Sequence, residues 1–368
     1  MRPKSRVVVI NLTLIAAGLL GTELVAGSWF DEPSLGALDV PAFREQFIDT
    51  SGLYPGGGIV DWRRDRHGLR GSHSTPDKVN ILAIGGSTTA ENMINDGQTW
   101  TDVLARELST PARPVFVANA GMDGQSTFGH LKAFDEWFAR IPGLTPRYVL
   151  FYVGINDLTR SSLIPVFDGF VPGSRLQRLH NQISNNSVLL HMLRKARGLY
   201  RAYISGVVHQ PANEEFADLG ERTLVPLPLE AQAVPARRPI DDEVARRYPE
   251  RLRRLADATR AMGATPVFVN QMWHGVFRQG KALFVRRRHA DKAQSLHESF
   301  VHYTALARLT METCRRMNRS ICIDLAERLE LAPQDLYDYV HTTPAGSAKV
   351  GRFLATALRP HMTARRGN

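Results

Sequence analysis

Five short apolar runs, each closed by Gly, Asn or Asp, constrain this chain more than any other feature. They are "VNILAIGG", "PVFVANAG", "RYVLFYVG", "TPVFVN" and "SICIDL". Continuous apolar runs of this length fit strands buried on both faces. Amphipathic stretches separate or follow them: "TWTDVLAREL", "FGHLKAFDEWFAR", "DDEVARRYPERLRRLADATRAMG", "DKAQSLHESFVHYTALARLTMETCRRMN" and "TPAGSAKVGRFLATAL". Strands alternating with helices imply a parallel sheet covered on both sides. The expected fold class is therefore α/β, a three-layer α/β/α sandwich around a five-stranded parallel sheet. With 368 residues, 43% of them apolar, the chain can bury such a core.

The alternation breaks between about 158 and 240. That interval holds one helical stretch, "NSVLLHMLRKARGLYRAYI", and then turns Pro-rich and polar in "HQPANEEFADLGERTLVPLPLEAQAVPARRP". It reads as an insertion, a lid or partner surface. Residues 31–78 read as an irregular lead-in, with "YPGGG" and "STPD" as turn signals. The expected organisation is an N-terminal segment over 1–30, the lead-in over 31–78, and the α/β domain over 79–368 with its insertion.

The N-terminus sets where the domain resides. Arg2, Lys4 and Arg6 precede an apolar run from Val7 to Gly21. A bilayer core needs about 20 residues. The run reaches that length only by continuing past Glu23 to Trp29. Positive charge before it, with Asp31 and Glu32 after it, orients the N-terminus inward. A signal anchor and a cleaved signal peptide, with small residues at Ala26-Gly27-Ser28, both fit. Trp29-Phe30 reads as an interfacial aromatic pair and favours the anchor. The expected location is single-pass in the cytoplasmic membrane, with the domain on the periplasmic or extracellular side. The N-terminal helix makes the membrane a partner.

Two further features narrow the classes. Net charge is +10, but the basic residues are scattered and no nucleic-acid motif is present, so no nucleic-acid partner is expected. The two cysteines, Cys314 and Cys322, lack zinc-ligand spacing and read as buried free thiols rather than a disulfide.

In open parallel sheets, ligands bind beyond the carboxyl ends of the strands. The first strand ends in Gly85, Gly86 and Ser87. That "GGSTT" lacks the lysine of a phosphate-binding loop, leaving a plain turn or a presented nucleophile. The second strand delivers Gly121 and Gly124, the third Gly154, Asn156 and Asp157. Beyond the fifth lie Asp335, Asp338 and His341. Each is ordinary alone. Together they supply a nucleophile (Ser87), a base (His341), an orienting carboxylate (Asp338) and oxyanion donors at Ser87 N–H, Gly124 N–H and the Asn156 amide. Asp335 is a rival orienter, Asp157 a supporting residue. Gln271, Trp273 and His274, after the fourth strand, are candidates for a pocket wall, with ordinary loop packing the alternative.

These blocks resemble the SGNH (GDSL-type) hydrolases. "GGST" is similar to the family's first block, with Gly86 where the family usually has aspartate. Gly124 matches the block-two glycine, "GIND" (Gly154 to Asp157) the third block, and "DYVH" (Asp338 to His341) the last. The resemblance covers roughly 79–157 and 262–357. It implies a flavodoxin-like sheet, no metal or other cofactor, and serine esterase or acyl-transfer chemistry on an ester substrate, an acylated carbohydrate or lipid. The membrane segment and "WRRDRHGLRG" look like membrane-attached bacterial members. Two alternatives remain open at this point: an O-acyl (acetyl) transferase or deacetylase of cell-surface polysaccharide, and a non-catalytic membrane-tethered binding protein of the same fold.

Overall fold

The computed structural model describes residues 3–30, 35–42, 44–73, 75–159, 168–170, 172–204, 223–233, 240 and 242–363. In chain order the elements begin with helix α1 (Pro3–Ala26) and the strands β1 (Arg44–Asp49) and β2 (Ile59–Arg64). Then come β3 (Ile81–Gly85), α2 (Ser87–Ala90), α3 (Trp100–Leu108), β4 (Val117–Asn119) and α4 (Thr127–Glu136). After β5 (Tyr148–Val153) and α5 (Ile155–Thr159), the insertion contributes α6 (Arg175–Asn186), α7 (Val188–Ile204), β6 (Leu224–Pro226) and α8 (Leu229–Ala233). The domain resumes with α9 (Asp242–Ala261), β7 (Thr265–Asn270), β8 (Phe277–Gln279) and β9 (Ala282–Arg286). It ends with α10 (Ala293–Arg315), β10 (Ile321–Ile323), α11 (Leu325–Arg328) and α12 (Pro344–Thr363).

The central sheet has five parallel strands in the order β10-β7-β5-β3-β4. Counted along the chain that is 2-1-3-4-5, the flavodoxin-like order, with its switch point between β3 and β5. Side chains alternate between the two faces, as the pleat requires. Leu82, Ile84, Val149, Phe151 and Phe268 join one apolar cluster with α9 and α10, through Leu252, Leu255, Leu306 and Met311. Ile81, Ala83, Leu150, Val267 and Val269 join the other with α3 and α12, through Leu104, Leu354 and Leu358. Phe151 stacks on Phe268 with ring centroids 5.0 Å apart. Truncating such a buried aromatic typically costs about 3–5 kcal/mol.

Local signals fix the helix starts. Thr99 accepts from the Asp102 N–H while the Asp102 carboxylate accepts from the Thr99 N–H, a reciprocal cap on α3. Pro344 opens α12, where its missing N–H costs nothing.

Three sequence expectations need correction. The lead-in is not irregular throughout: β1 and β2 pair antiparallel from Arg44↔Arg64 to Asp49↔Ile59. Val60 and Trp62 alternate inward there, a short period-2 signal among turn residues. Cys314 and Cys322 are joined as a disulfide, not free. The end of α10 packs back on β10, bringing their Cα atoms to 5.9 Å. A further three-stranded sheet, ordered β6-β9-β8, forms where only loops were expected. The helix expected in the insertion is present as α7, and α6 precedes it. Most of the Pro-rich stretch, and Asp31 and Glu32, lie outside the described residues.

Helix α1 is long and apolar enough over Arg6–Ala26 to cross a membrane, and none of that window is buried. Over residues 6–20 every residue is exposed, unlike those of a core helix, Leu12, Leu14 and Leu20 among them.

Candidate active site

The turn after β3 begins with two glycines because little else fits. A Cβ on Gly85 would lie 2.1 Å from Thr89 Oγ1 and 2.7 Å from the Tyr152 carbonyl. One on Gly86 would lie 2.4 Å from Asn156 Nδ2. The chain therefore turns tightly, and Ser87 becomes the first residue of α2.

Ser87 meets the far end of the sequence. His341 Nε2 is 2.7 Å from Ser87 Oγ, and His341 Nδ1 is 2.5 Å from Asp338 Oδ2. The other oxygen, Asp338 Oδ1, accepts from the backbone N–H groups of Val340 and His341, each at 2.7 Å. The loop that carries them is closed by Tyr337 N–H donating to the His341 carbonyl at 3.0 Å. Tyr337 also stacks on the imidazole, with centroids 5.5 Å apart and planes at 7°.

Electrostatics follow from this geometry. Burial pulls the His341 imidazole down, but the charge and hydrogen bond of Asp338 outweigh it, with Asp123 and Glu91 adding, so its pKa is raised. Burial pushes the Asp338 carboxyl up, yet His341 and the two backbone donors hold it below its ordinary value. Asp335, the rival orienter, is turned away. It accepts from Lys349 Nζ at 2.6 Å and from the Ala332 N–H at 2.7 Å.

The remaining sequence candidates lie close by. Gly124 adopts φ +72°, the left-handed region that favours glycine. Asn156 donates to the Gln125 carbonyl at 2.8 Å, which sets its amide beside the Gly86–Ser87 turn. Among the described residues, the backbone N–H groups of Ser87 and Gly124 donate no hydrogen bond. Asp157 stands behind them, accepting from Thr127 Oγ1 at 2.6 Å and paired with Arg251 at 3.1 Å.

Two features were not read from the sequence. Gln271 accepts from the Ile155 N–H at 2.7 Å and donates to Thr88 Oγ1 at 2.6 Å, tying the ends of β3 and β5 together. It also borders a cavity of about 250 Å³ with Trp273, His274 and Tyr303, so the three candidates after β7 do line a pocket, though not one bounded by the Ser87 side chain. Glu91 is 4% exposed. Its N–H donates to the Ser87 carbonyl at 2.8 Å. Its carboxyl accepts from Trp100 N–H at 2.7 Å, Thr342 Oγ1 at 2.9 Å and Ser347 Oγ. It thus ties the serine turn to the residue following His341. Burial drives its pKa up to about 7 against the pull of these donors and of Arg70. Nothing in "TTAEN" distinguishes this glutamate from a surface residue. Among the described residues no cluster of three His, Cys, Asp or Glu side chains is placed to hold a metal ion.

The family model for the GDSL-like lipase/acylhydrolase family matches residues 83–349, most of the chain. The chain belongs to that family. It is an ester-bond hydrolase of that family. Solved structures with a similar chain course include a catalytic mutant of an acetylxylan esterase from Geobacillus stearothermophilus. That match is 13% identical, covers 77% of this chain and 94% of the other, and has a TM-score of 0.39. Another is an alpha/beta hydrolase enzyme from the metagenome of Lake Arreo, Spain, 13% identical, covering 75% and 93%, with a TM-score of 0.36. No curated protein matches the sequence.

Proposed function

We propose that this GDSL-family hydrolase is a serine esterase held at the outer face of the cytoplasmic membrane, with Ser87, His341 and Asp338 as its triad. The observation that carries the reading is the continuous chain of contacts from Ser87 Oγ through His341 to Asp338, at 2.7 Å and 2.5 Å. The Ser87 hydroxyl is a weak nucleophile until a base takes its proton. His341 Nε2 takes it as Ser87 Oγ bonds to the ester carbonyl carbon. The resulting oxyanion accepts hydrogen bonds from the Ser87 and Gly124 N–H groups and the Asn156 amide. His341 then protonates the leaving alkoxide oxygen, and the C–O bond of the ester breaks. Water repeats the attack on the acyl-enzyme, giving its proton to His341. Collapse returns that proton to Ser87 Oγ and releases the carboxylic acid. Asp338 holds Nδ1–H and so keeps Nε2 as the acceptor.

The extracytoplasmic placement rests on α1 with its basic N-terminal flank, and on the Cys314–Cys322 disulfide, which suits an oxidising compartment. The substrate class is an acylated carbohydrate or lipid. The test is hydrolysis of p-nitrophenyl acetate by the full chain in detergent. Wild type should turn over, and Ser87→Ala should lose several orders of magnitude in kcat. Equal turnover by the two proteins would rule out this assignment.

A further inference from the structure

Helix α6 is built inside out. Its inward residues are polar: Asn181, Ser184 and Asn185 are buried. Asn185 Nδ2 donates to the carbonyls of Gly36 and Leu38, each at 3.1 Å. Its outward residues at spacing i, i+3, i+7 are apolar: Leu176 is 80% exposed, Leu179 54% and Ile183 41%. Helix α7 continues the pattern. It packs one side on β1, where Lys195 pairs with Glu45 at 3.1 Å. Met192, Leu193 and Tyr200, also near one face, are exposed. Among the described residues outside the α1 region (residues 7–30), six of the eight large apolar side chains that are strongly exposed lie on these two helices, the others being Ile59 and Leu229. A helix in water does not place amides inward and leucines outward without a second apolar medium to receive them.

Charge and position identify that medium. Residues 175–204 contain Arg175, Arg178, Arg194, Lys195, Arg197 and Arg201 and no acidic residue. Apolar residues set among arginines and lysines suit the headgroup region of an anionic bilayer. The junction between the two helices also lies where α1 ends. Glu23 of α1 accepts from the N–H of Val188 and Leu189 at 3.3 and 3.1 Å and from Ser187 Oγ, capping α7. The Ser28 N–H donates to the Asn186 carbonyl at 2.9 Å. The carboxylate that interrupts the apolar run thus holds the insertion against the end of the membrane helix.

We infer that the exposed apolar face of α6 and α7 lies in the surface of an anionic phospholipid bilayer, beside the point where α1 emerges. The inference rests on the anchor reading of α1 and adds a second contact to it. Its consequence for the site is positional. The inner face of α6, through Asn181, Ser184 and Asn185, borders a cavity of about 380 Å³ together with Asn92, Met122 and Asp123 of the loops beside Ser87 and Gly124. Helix α6 then stands between that cavity and the lipid surface.

The test uses the full chain in vesicles of phosphatidylcholine with or without phosphatidylglycerol. Both native cysteines are in the disulfide, so Leu179→Cys, Met192→Cys and, as a control on the exposed side of α9, Arg253→Cys each accept one polarity-sensitive fluorophore. An unchanged melting temperature in detergent certifies the fold of each variant. The inference expects blue-shifted emission, quenched by bromolipid, at 179 and 192 but not at 253. The shift should be larger with phosphatidylglycerol, and that increment should be lost when Arg175→Gln, Arg178→Gln and Arg197→Gln are combined. Chain that floats with vesicles while 179 and 192 stay in water overturns the platform and leaves the anchor standing. Chain that does not float overturns both. Burial at 179 and 192 that ignores bromolipid and grows with protein density identifies a second copy as the occupant and overturns the lipid assignment.

Discussion

Glu91→Gln should change the pH dependence of stability in a direction fixed by burial. Glu91 is enclosed, and its pKa is driven from an ordinary 4.5 up to about 7. Between those values the folded protein keeps a proton that the unfolded chain has released. The contribution is fully present below pH 4.5 and is lost as pH rises through about 7. The loss across that window is about 3 kcal/mol. Glutamine keeps the shape and removes the titration. Its oxygen can accept from Trp100 N–H, and its amide can face the hydroxyl oxygens of Thr342 and Ser347. The assay is thermal unfolding of both proteins in non-ionic detergent from pH 5 to pH 8. Buried His130 and His274, held down to about 3 and about 4, add the opposite slope, stabilising as pH rises, but they add it equally to both proteins. The difference curve therefore isolates Glu91. Relative to the variant, wild type should lose about 3–5 °C in Tm between pH 5 and pH 8. Parallel curves over that range would refute the reasoning, since Glu91 would then not change its protonation there.

Asp338→Asn should cost on the order of 10³–10⁴ in kcat. Two backbone donors hold the Oδ1 position, so the amide nitrogen must face His341 Nδ1, leaving Nε2 with the proton and unable to accept from Ser87; steady-state esterase kinetics check this. In wild type the raised His341 pKa predicts that kcat/KM falls as pH drops through that value, because the protonated ring is no base; a pH–rate profile reads it. Asn156→Ala should lower kcat by about 10²–10³ with little change in KM, as expected for a donor used in the transition state. Cys314→Ala with Cys322→Ala should cost about 2–3 kcal/mol, since the bridge closes a loop only eight residues apart in sequence, and should leave turnover unchanged, because the disulfide lies on β10 away from the triad; paired melts and assays check both.

The sheet was legible because its signal is local. Each of the five runs is apolar throughout, and side chains of both parities, such as Ile81 and Leu82, are buried, as a strand covered on both faces demands. The proposed triad was legible because Ser87 directly follows β3 while Asp338 and His341 lie on the loop that leads into α12, so the fold collects residues distant in sequence beyond the carboxyl ends of the strands. The rest depends on contacts that carry no periodicity. The β1–β2 hairpin hides among turn residues and is marked only by Val60 and Trp62. The disulfide depends on how α10 returns to β10. Glu91 looks like any polar residue after a short helix, and its role arises only when Trp100, Thr342 and Ser347 close over it. Glu23 looked like a defect in an apolar run, and its partner, the start of α7, is far along the chain.

The central claim is that Ser87 is an activated nucleophile. The most direct measurement is fluorophosphonate labelling of the full chain in detergent, with the modified peptide located by mass spectrometry, for wild type beside Ser87→Ala. The account predicts stoichiometric modification of Ser87, absent in the variant and slowed when His341 is protonated. A folded wild type that takes no label, or a Ser87→Ala variant that labels equally well, would contradict it.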